Sequence, residues 1–196
     1  MKYFKQLDLS TPDLYKELEN FLDKNLIHWR TDIAQICING VKGHEDNIFY
    51  GVGSLDLDWI NAYYGQDEQG NSKVIVPKKE HMLHEDDFRY LCTPFKNTLF
   101  EDMYNEIESK YTVGRIRLMK LAPHLCLSWH HDATDRLHYP IKTQDGCIMV
   151  IEDEVMHIPE QTWWATNTRY THTAFNGSRE DRIHLVVNIV EEYDDI

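Results

Sequence analysis

The chain has 196 residues and a formal net charge of −13, with 20 Lys and Arg against 33 Asp and Glu. That length predicts a single domain over residues 1–196, and this excess of acid argues against unspecific binding to nucleic acids or anionic membranes, which depends on Lys and Arg. Because no run of about 18 apolar residues occurs and the first residues lack the apolar stretch of a secretory signal, we expect no membrane span and a cytoplasmic protein.

Two segments of the first half carry signals for the start of a helix. Ser10-Thr11-Pro12 is followed by leucines and a phenylalanine at three- and four-residue steps, which predicts an amphipathic helix over residues 10–27. Thr93-Pro94 repeats the signal and predicts a second helix over residues 95–110.

Between these helices, residues 33–38 are rich in β-branched side chains and are followed by Asn39-Gly40, which predicts a strand that ends in a tight turn. Residues 40–80 contain a cluster of aromatic side chains around glycines. Such a cluster favours core packing over a stacking platform for a sugar or peptide.

From residue 111 onward the helical period gives way to short segments of alternating polarity separated by turn signals. This pattern is typical of a mainly β sandwich or jelly roll. We therefore expect residues 111–196 to form this core and the helical or mixed part, residues 1–110, to pack against it. The predicted strands span residues 113–121, 125–131, 137–142, 147–151, 161–165, 170–175 and 182–190.

The last predicted strand has two different faces. Its apolar face carries Ile183, Leu185, Val187 and Ile189, and its polar face carries Arg182, His184 and Asn188. If the apolar face packs on the helices, Arg182 and His184 point into the barrel. A buried guanidinium needs an anionic partner, which is either a dicarboxylate ligand or a carboxylate of the protein such as Asp132 or Asp181.

A His-x-Asp triplet occurs three times, at residues 44–46, 84–86 and 130–132. Only His130-His131-Asp132 follows an apolar predicted strand, where alternate side chains point to the same side and can share one ion. His172 lies in a later predicted strand, and the alternative for it is a core histidine.

Two imidazoles and one carboxylate on one face are the ligands of non-haem Fe(II) oxygenases. We therefore predict His130, Asp132 and His172 as metal ligands. Arg182, ten residues after His172, is the predicted anchor for the far carboxylate of 2-oxoglutarate.

The second part of the sequence is also similar to a known family. Residues from about 114 to 190 resemble the aspartyl/asparaginyl β-hydroxylase-like branch of the Fe(II)/2-oxoglutarate oxygenases, which includes free-proline hydroxylases. The residues that carry the resemblance are Leu121-Ala122-Pro123, Arg136-x-His138, Thr162-Trp163-Trp164, His172-Thr173-Ala174-Phe175-Asn176 and Arg182-Ile183-His184-Leu185-Val186.

The resemblance implies a double-stranded β-helix, cupin-like fold with Fe(II), 2-oxoglutarate and O₂, and it admits ascorbate as a further cofactor. Position by position, His130, Asp132 and His172 match the metal ligands of the family. Arg182 matches the residue that binds the far carboxylate of 2-oxoglutarate. Arg136 and His138 match further polar contacts to the co-substrate or substrate, and His184 is a candidate contact of the same kind. Two positions depart from the family, because some members have glycine in place of Asp132 and Met119 stands where a serine contacts the co-substrate.

The predicted function is therefore hydroxylation of an amino acid or of a peptide or protein residue. Two alternatives stay open at this stage. One is a metal-dependent cupin enzyme that does not use 2-oxoglutarate, and the other is a non-catalytic jelly-roll binding module. Arg115, Arg117 and Arg136 are candidates for a substrate carboxylate, and the sequence leaves the oligomeric state undecided.

Overall fold

The structure is a computed structural model that describes residues 1–29 and 34–191, without the side chain of Trp59. The first residue of the predicted strand over 33–38 lies outside the described residues. In the part of the chain that is described, no helix is long and apolar enough to cross a membrane.

The two predicted helices are present, and each begins four residues later than predicted. They are α1 (Leu14–Lys24) and α2 (Leu99–Lys110). Asp13 caps α1 by accepting a hydrogen bond from the backbone N–H of Tyr15, and Thr98 caps α2 in the same way for Phe100. The proline at 94 lies in a separate 3-10 turn, Thr93–Phe95. In both helices, the residue directly before the first helical residue provides the cap, in place of the residue before the proline that the sequence suggested.

Thirteen strands are present among the described residues. They are β1 (Phe4–Leu7), β2 (Gln35–Cys37), β3 (Asn39–Val41), β4 (Tyr63–Gln66), β5 (Ser72–Ile75), β6 (Phe88–Leu91), β7 (Val113–Leu121), β8 (Arg136–Lys142), β9 (Cys147–Ile151), β10 (Glu154–Met156), β11 (Trp163–Thr166), β12 (His172–Asn176) and β13 (Arg182–Ile189).

The large sheet has six antiparallel strands in the order β1-β11-β8-β13-β7-β2. The apolar face of β13 packs with α1 and α2 in the main core, as its alternation predicted. Burial of these apolar side chains is the main force that fixes the sheet on the helices. The opposite face of β13, which carries Arg182 and His184, therefore points into the interior of the barrel.

The small sheet has the order β10-β9-β12 and lies across the interior from the large one. Met149, Ile151 and Met156 of this sheet pack against Tyr3 and Phe4, at the edge of the large sheet. Two stacked antiparallel sheets of this kind form the predicted jelly roll, a double-stranded β-helix. Strands β1 and β2 show that the first part of the chain also contributes to the large sheet.

Two local predictions are wrong. Residues 125–131 form no continuous strand, because they make only isolated bridges to β12, at Cys126 and His130, and most of their side chains are exposed. Asn39 does not lie in a turn but in β3, which pairs with β6. Its buried amide donates to two backbone carbonyls and accepts from the N–H of Ile116, which are tertiary partners that a dipeptide pattern does not reveal.

Candidate metal centre

His130 and His172 lie side by side. The backbone N–H of His130 donates to the carbonyl of His172 at 3.1 Å, and the reverse bond is 2.8 Å long. The two ring centroids are 4.3 Å apart. Cross-strand pairing of this kind brings side chains on the same face together, so the bridge to β12 positions both imidazoles at one point.

Both imidazoles have the same tautomer. His130 Nδ1 lies 2.7 Å from the carbonyl of Ser128, and His172 Nδ1 lies 3.0 Å from that of Tyr170. Because a carbonyl oxygen only accepts, each Nδ1 carries a proton. In the neutral ring, Nε2 is then the nitrogen that can bind a metal. Backbone carbonyls thus orient both rings, and such partners have no sequence signal.

Asp132 completes the group. Its Oδ2 is buried, lies 3.3 Å from His172 Nε2 and has no hydrogen bond within the described part of the chain, while its Oδ1 lies 2.6 Å from Arg136 Nη2. Burial alone would raise the pKa of Asp132, but His172 and Arg136 outweigh it and hold the pKa below its ordinary value. Asp132 is thus a carboxylate with one oxygen left for a further partner.

One donor atom from each of the three side chains lies within 4.8 Å of the others. Two imidazole nitrogens with lone pairs and a buried carboxylate oxygen without a partner match the donor set that suits Fe(II). The residues present therefore fit the metal that the sequence implied, and the structure brings together the three side chains that the sequence grouped.

Arg182 lies in the interior and is 6% exposed. Its Nη2 is 3.0 Å from His184 Nδ1, and among residues 1–29 and 34–191 no carboxylate pairs with it. The two internal partners that we considered pair elsewhere, Asp132 with Arg136 and Asp181 with Lys120. Burial lowers the pKa of Arg182 to about 10, so it remains a cation at neutral pH.

His138 and His184 extend the polar interior beside Arg182. Their Nδ1 atoms are 3.4 Å apart, and both Nε2 atoms are buried and have no hydrogen bond to residues 1–29 or 34–191. Burial, reinforced by the nearby Arg182 cation, lowers the pKa of both histidines well below the ordinary 6.5. Both are therefore neutral at pH 7 and keep hydrogen-bonding capacity for a ligand.

A cavity of about 800 Å³ opens beside Arg182. Met119, Leu121, Leu125 and Leu127 form one wall. Residues within 47–60 and 79–83 also line the cavity, and they lie in loops that have no periodic pattern. Of the aromatic cluster in residues 40–80, Phe49 and Tyr50 line the cavity, and Tyr63 and Tyr64 are exposed.

The two other candidate arginines differ in their partners. Arg115 forms an ion pair with Glu85 at 3.1 Å and donates to the carbonyls of Gly51 and Gly53. Arg115 therefore holds the loop that walls the cavity. Arg117 is buried, lies 3.0 Å from Gln35 Oε1, and has no carboxylate partner in the described part of the chain.

The profile of the Aspartyl/Asparaginyl beta-hydroxylase family matches residues 75–192. This is more than half of the chain, and the chain therefore belongs to that family. L-proline cis-4-hydroxylase of Rhizobium meliloti (strain 1021) is 26% identical over 166 residues, which cover 76% of this chain and 58% of that protein. The chain thus spans less than two thirds of the length of this curated relative.

Solved structures overlap with the chain only in part. An oxidoreductase of the 2OG-Fe(II) oxygenase family from Burkholderia pseudomallei has a TM-score of 0.35 and 15% identity, over 46% of this chain and 49% of the other. A predicted oxalate decarboxylase from Thermotoga maritima has a TM-score of 0.35 and 16% identity, over 66% and 92%. These scores are low, so the family assignment depends on the sequence match.

Proposed function

We propose that the protein is an Fe(II)- and 2-oxoglutarate-dependent dioxygenase that hydroxylates an amino acid or a prolyl, aspartyl or asparaginyl residue. The observation that carries the proposal is the convergence of His130, Asp132 and His172. Their two imidazole lone pairs and free carboxylate oxygen would hold the metal. When bound, the metal with 2-oxoglutarate and O₂ supplies the oxidation of an unreactive C–H bond, with release of succinate and CO₂.

Arg182 would bind the far carboxylate of 2-oxoglutarate. A dicarboxylate supplies the anion that this buried cation lacks, and a charge-assisted hydrogen bond is stronger than a neutral one. His184 orients the guanidinium through its contact with Nη2. The free Nε2 atoms of His138 and His184 are the proposed further contacts to the co-substrate, and Arg136 remains a predicted one.

The substrate would enter through the cavity beside Arg182. Arg117 suits the carboxylate of a free amino acid because it is a buried cation to which the described residues supply no anionic partner. A peptide would instead use the apolar walls, since cavities of roughly 300–1,000 Å³ hold ligands larger than one amino acid. Both substrate classes are therefore included in the test.

The test measures succinate release from 2-oxoglutarate across a panel of free amino acids and peptides, with His172→Ala as the blank. We expect succinate release that requires Fe(II) and increases with the matching substrate. The control is Lys142→Gln. This variant removes the ion pair between Lys142 of β8 and Glu180, and it leaves the metal group untouched.

Two results would contradict the proposal. Metal binding without any response to 2-oxoglutarate would favour a metal-dependent cupin enzyme of another class. A chain that binds no metal would favour a non-catalytic jelly-roll binding module.

A further inference from the structure

Arg136 occupies one oxygen of the Asp132 carboxylate. Its Nη2 lies 2.6 Å from Asp132 Oδ1, and both side chains are about 15% exposed, at 14% and 15%. The ion pair is therefore largely shielded from solvent, where a charged hydrogen bond is stronger than at the surface.

A rigid frame holds Arg136 in place. It lies on β8, opposite Asn188 of β13, and its backbone carbonyl accepts a hydrogen bond from Thr166 Oγ1 of β11. Asp132 is fixed separately, because its backbone N–H donates to the carbonyl of Thr168 at 2.9 Å. Both ends of the ion pair are thus anchored by the fold.

The ion pair makes the two oxygens of Asp132 unequal. Oδ1 is bound to the guanidinium, whereas Oδ2 is buried, faces His172 Nε2 and has no hydrogen bond to any described residue. The terminal torsion of an aspartate is broad and nearly two-fold. Without a partner on Oδ1, the plane of the carboxylate would sample this broad range of angles and would no longer be fixed toward His172.

We propose that Arg136 is a positioning residue that acts through Asp132 and presents Oδ2 to the metal. This inference depends on the proposed function, because it assumes that Asp132 is a metal ligand. It gives Arg136 a role in metal binding, separate from any contact that it makes with the co-substrate.

Two physical effects of Arg136 on metal affinity oppose each other. Its positive charge repels a divalent cation, and this effect alone would make the metal bind more tightly once Arg136 is removed. Its hold on Oδ1 orders the ligand, and loss of such an outer contact typically weakens metal binding by about 10–100-fold. We expect the ordering effect to be the larger. The sign of the change in metal affinity when Arg136 is removed therefore shows which effect dominates.

The experiment measures the dissociation constant for Mn(II) from the electron paramagnetic resonance signal of the free ion, without co-substrate or turnover. The variants are Arg136→Gln and Arg136→Lys, and Lys142→Gln is the matched loss of an ion pair on the same strand. We expect Arg136→Gln to weaken Mn(II) binding by about 10–100-fold. Arg136→Lys should lose less of the affinity for Mn(II), because an ammonium still reaches one oxygen of Asp132. Lys142→Gln should bind Mn(II) as tightly as the wild type does.

Each further outcome has a defined meaning. Unchanged or tighter Mn(II) binding by Arg136→Gln, with wild-type binding intact, overturns the role of Arg136 and leaves the proposed function standing. Failure of the wild type to bind Mn(II), or equal binding by His172→Ala, overturns the proposed function and this inference with it. If Arg136→Gln does not fold, Arg136→Lys decides: equal or tighter binding than wild type overturns the role, and weaker binding supports it.

Discussion

Two polar groups share the interior of the barrel, and they differ in charge balance. The group at His130, Asp132 and His172 contains a carboxylate that is paired with Arg136. The group at Arg182, His184 and His138 contains a buried cation and two neutral imidazoles, and the described residues supply no carboxylate to it.

The difference indicates which kind of ligand each group lacks. The first has lone pairs and a free carboxylate oxygen, which are donors for a cation. The second has a guanidinium that is costly to bury alone, and this cost falls when an anion binds. The proposed metal ion and dicarboxylate co-substrate would supply the charges that the two groups lack, and separate variants test each group by itself.

The largest effect is expected at the first group. His172→Ala removes one of three donors and should weaken Fe(II) or Mn(II) binding by more than about 100-fold, beyond the loss typical of an outer contact. Titration calorimetry measures the change. The control is His124→Asn, at an exposed histidine with a φ of 59° that asparagine tolerates. Equal metal affinity in the two variants would remove His172 from the site.

The second group should respond to Arg182→Met in two opposite ways. Loss of a hydrogen bond to a charged group is equivalent to about 1.5–3 kcal/mol, so 2-oxoglutarate should bind roughly 10–150-fold more weakly. The empty protein should be more stable by about 1 kcal/mol, because a buried cation for which the described residues supply no anion is removed. Calorimetry with 2-oxoglutarate and urea unfolding measure the two changes.

These two changes separate an anion anchor from a structural residue. A variant that is less stable and binds 2-oxoglutarate as well as the wild type would show that Arg182 serves the fold alone.

Acid should destabilise the protein through His138 and His184. Their pKa values are lower in the folded state than the ordinary 6.5, so the unfolded chain binds more protons below that pH. The stability is therefore fully present above pH 6.5 and falls as pH decreases below it, by up to about 1.4 kcal/mol per pH unit for each histidine.

Urea unfolding at pH 7 and at a lower pH measures this slope, and His138→Gln should reduce it. A slope that is the same in the variant and the wild type would show that His138 is protonated in the folded state.

The smallest effect is expected outside the barrel. Tyr64 is 86% exposed on β4, so Tyr64→Ser should change the free energy of unfolding by less than about 0.5 kcal/mol. Succinate release should also be unchanged. A clear loss of substrate turnover would instead revive the stacking platform that the aromatic cluster suggested.

The sequence predicted the features that depend on periodicity. The alternation in residues 182–190 identified which face of β13 packs on the helices, because burial decides which face of a strand points inward. His130, Asp132 and His172, which the sequence grouped as metal ligands, lie together in the structure, although residues 125–131 are not the strand on which that grouping relied.

Features that depend on tertiary partners were missed. The carbonyls of Ser128 and Tyr170 have no side-chain signal, and the amide of Asn39 finds its partners 49 and more residues away. The pairing of Arg136 with Asp132 depends on the path of residues 132–136 between an irregular segment and β8. The wall of the cavity consists of loops, whose course the local sequence does not determine.

The most direct test of the proposed metal and 2-oxoglutarate sites is an anaerobic titration of the protein with Fe(II) and 2-oxoglutarate, monitored by visible absorption. We expect a weak absorption band that appears only when both Fe(II) and 2-oxoglutarate are present. The band should be absent in His172→Ala, and it should need much more 2-oxoglutarate in Arg182→Met. Fe(II) binding with no change in absorption at any 2-oxoglutarate concentration would contradict this expectation.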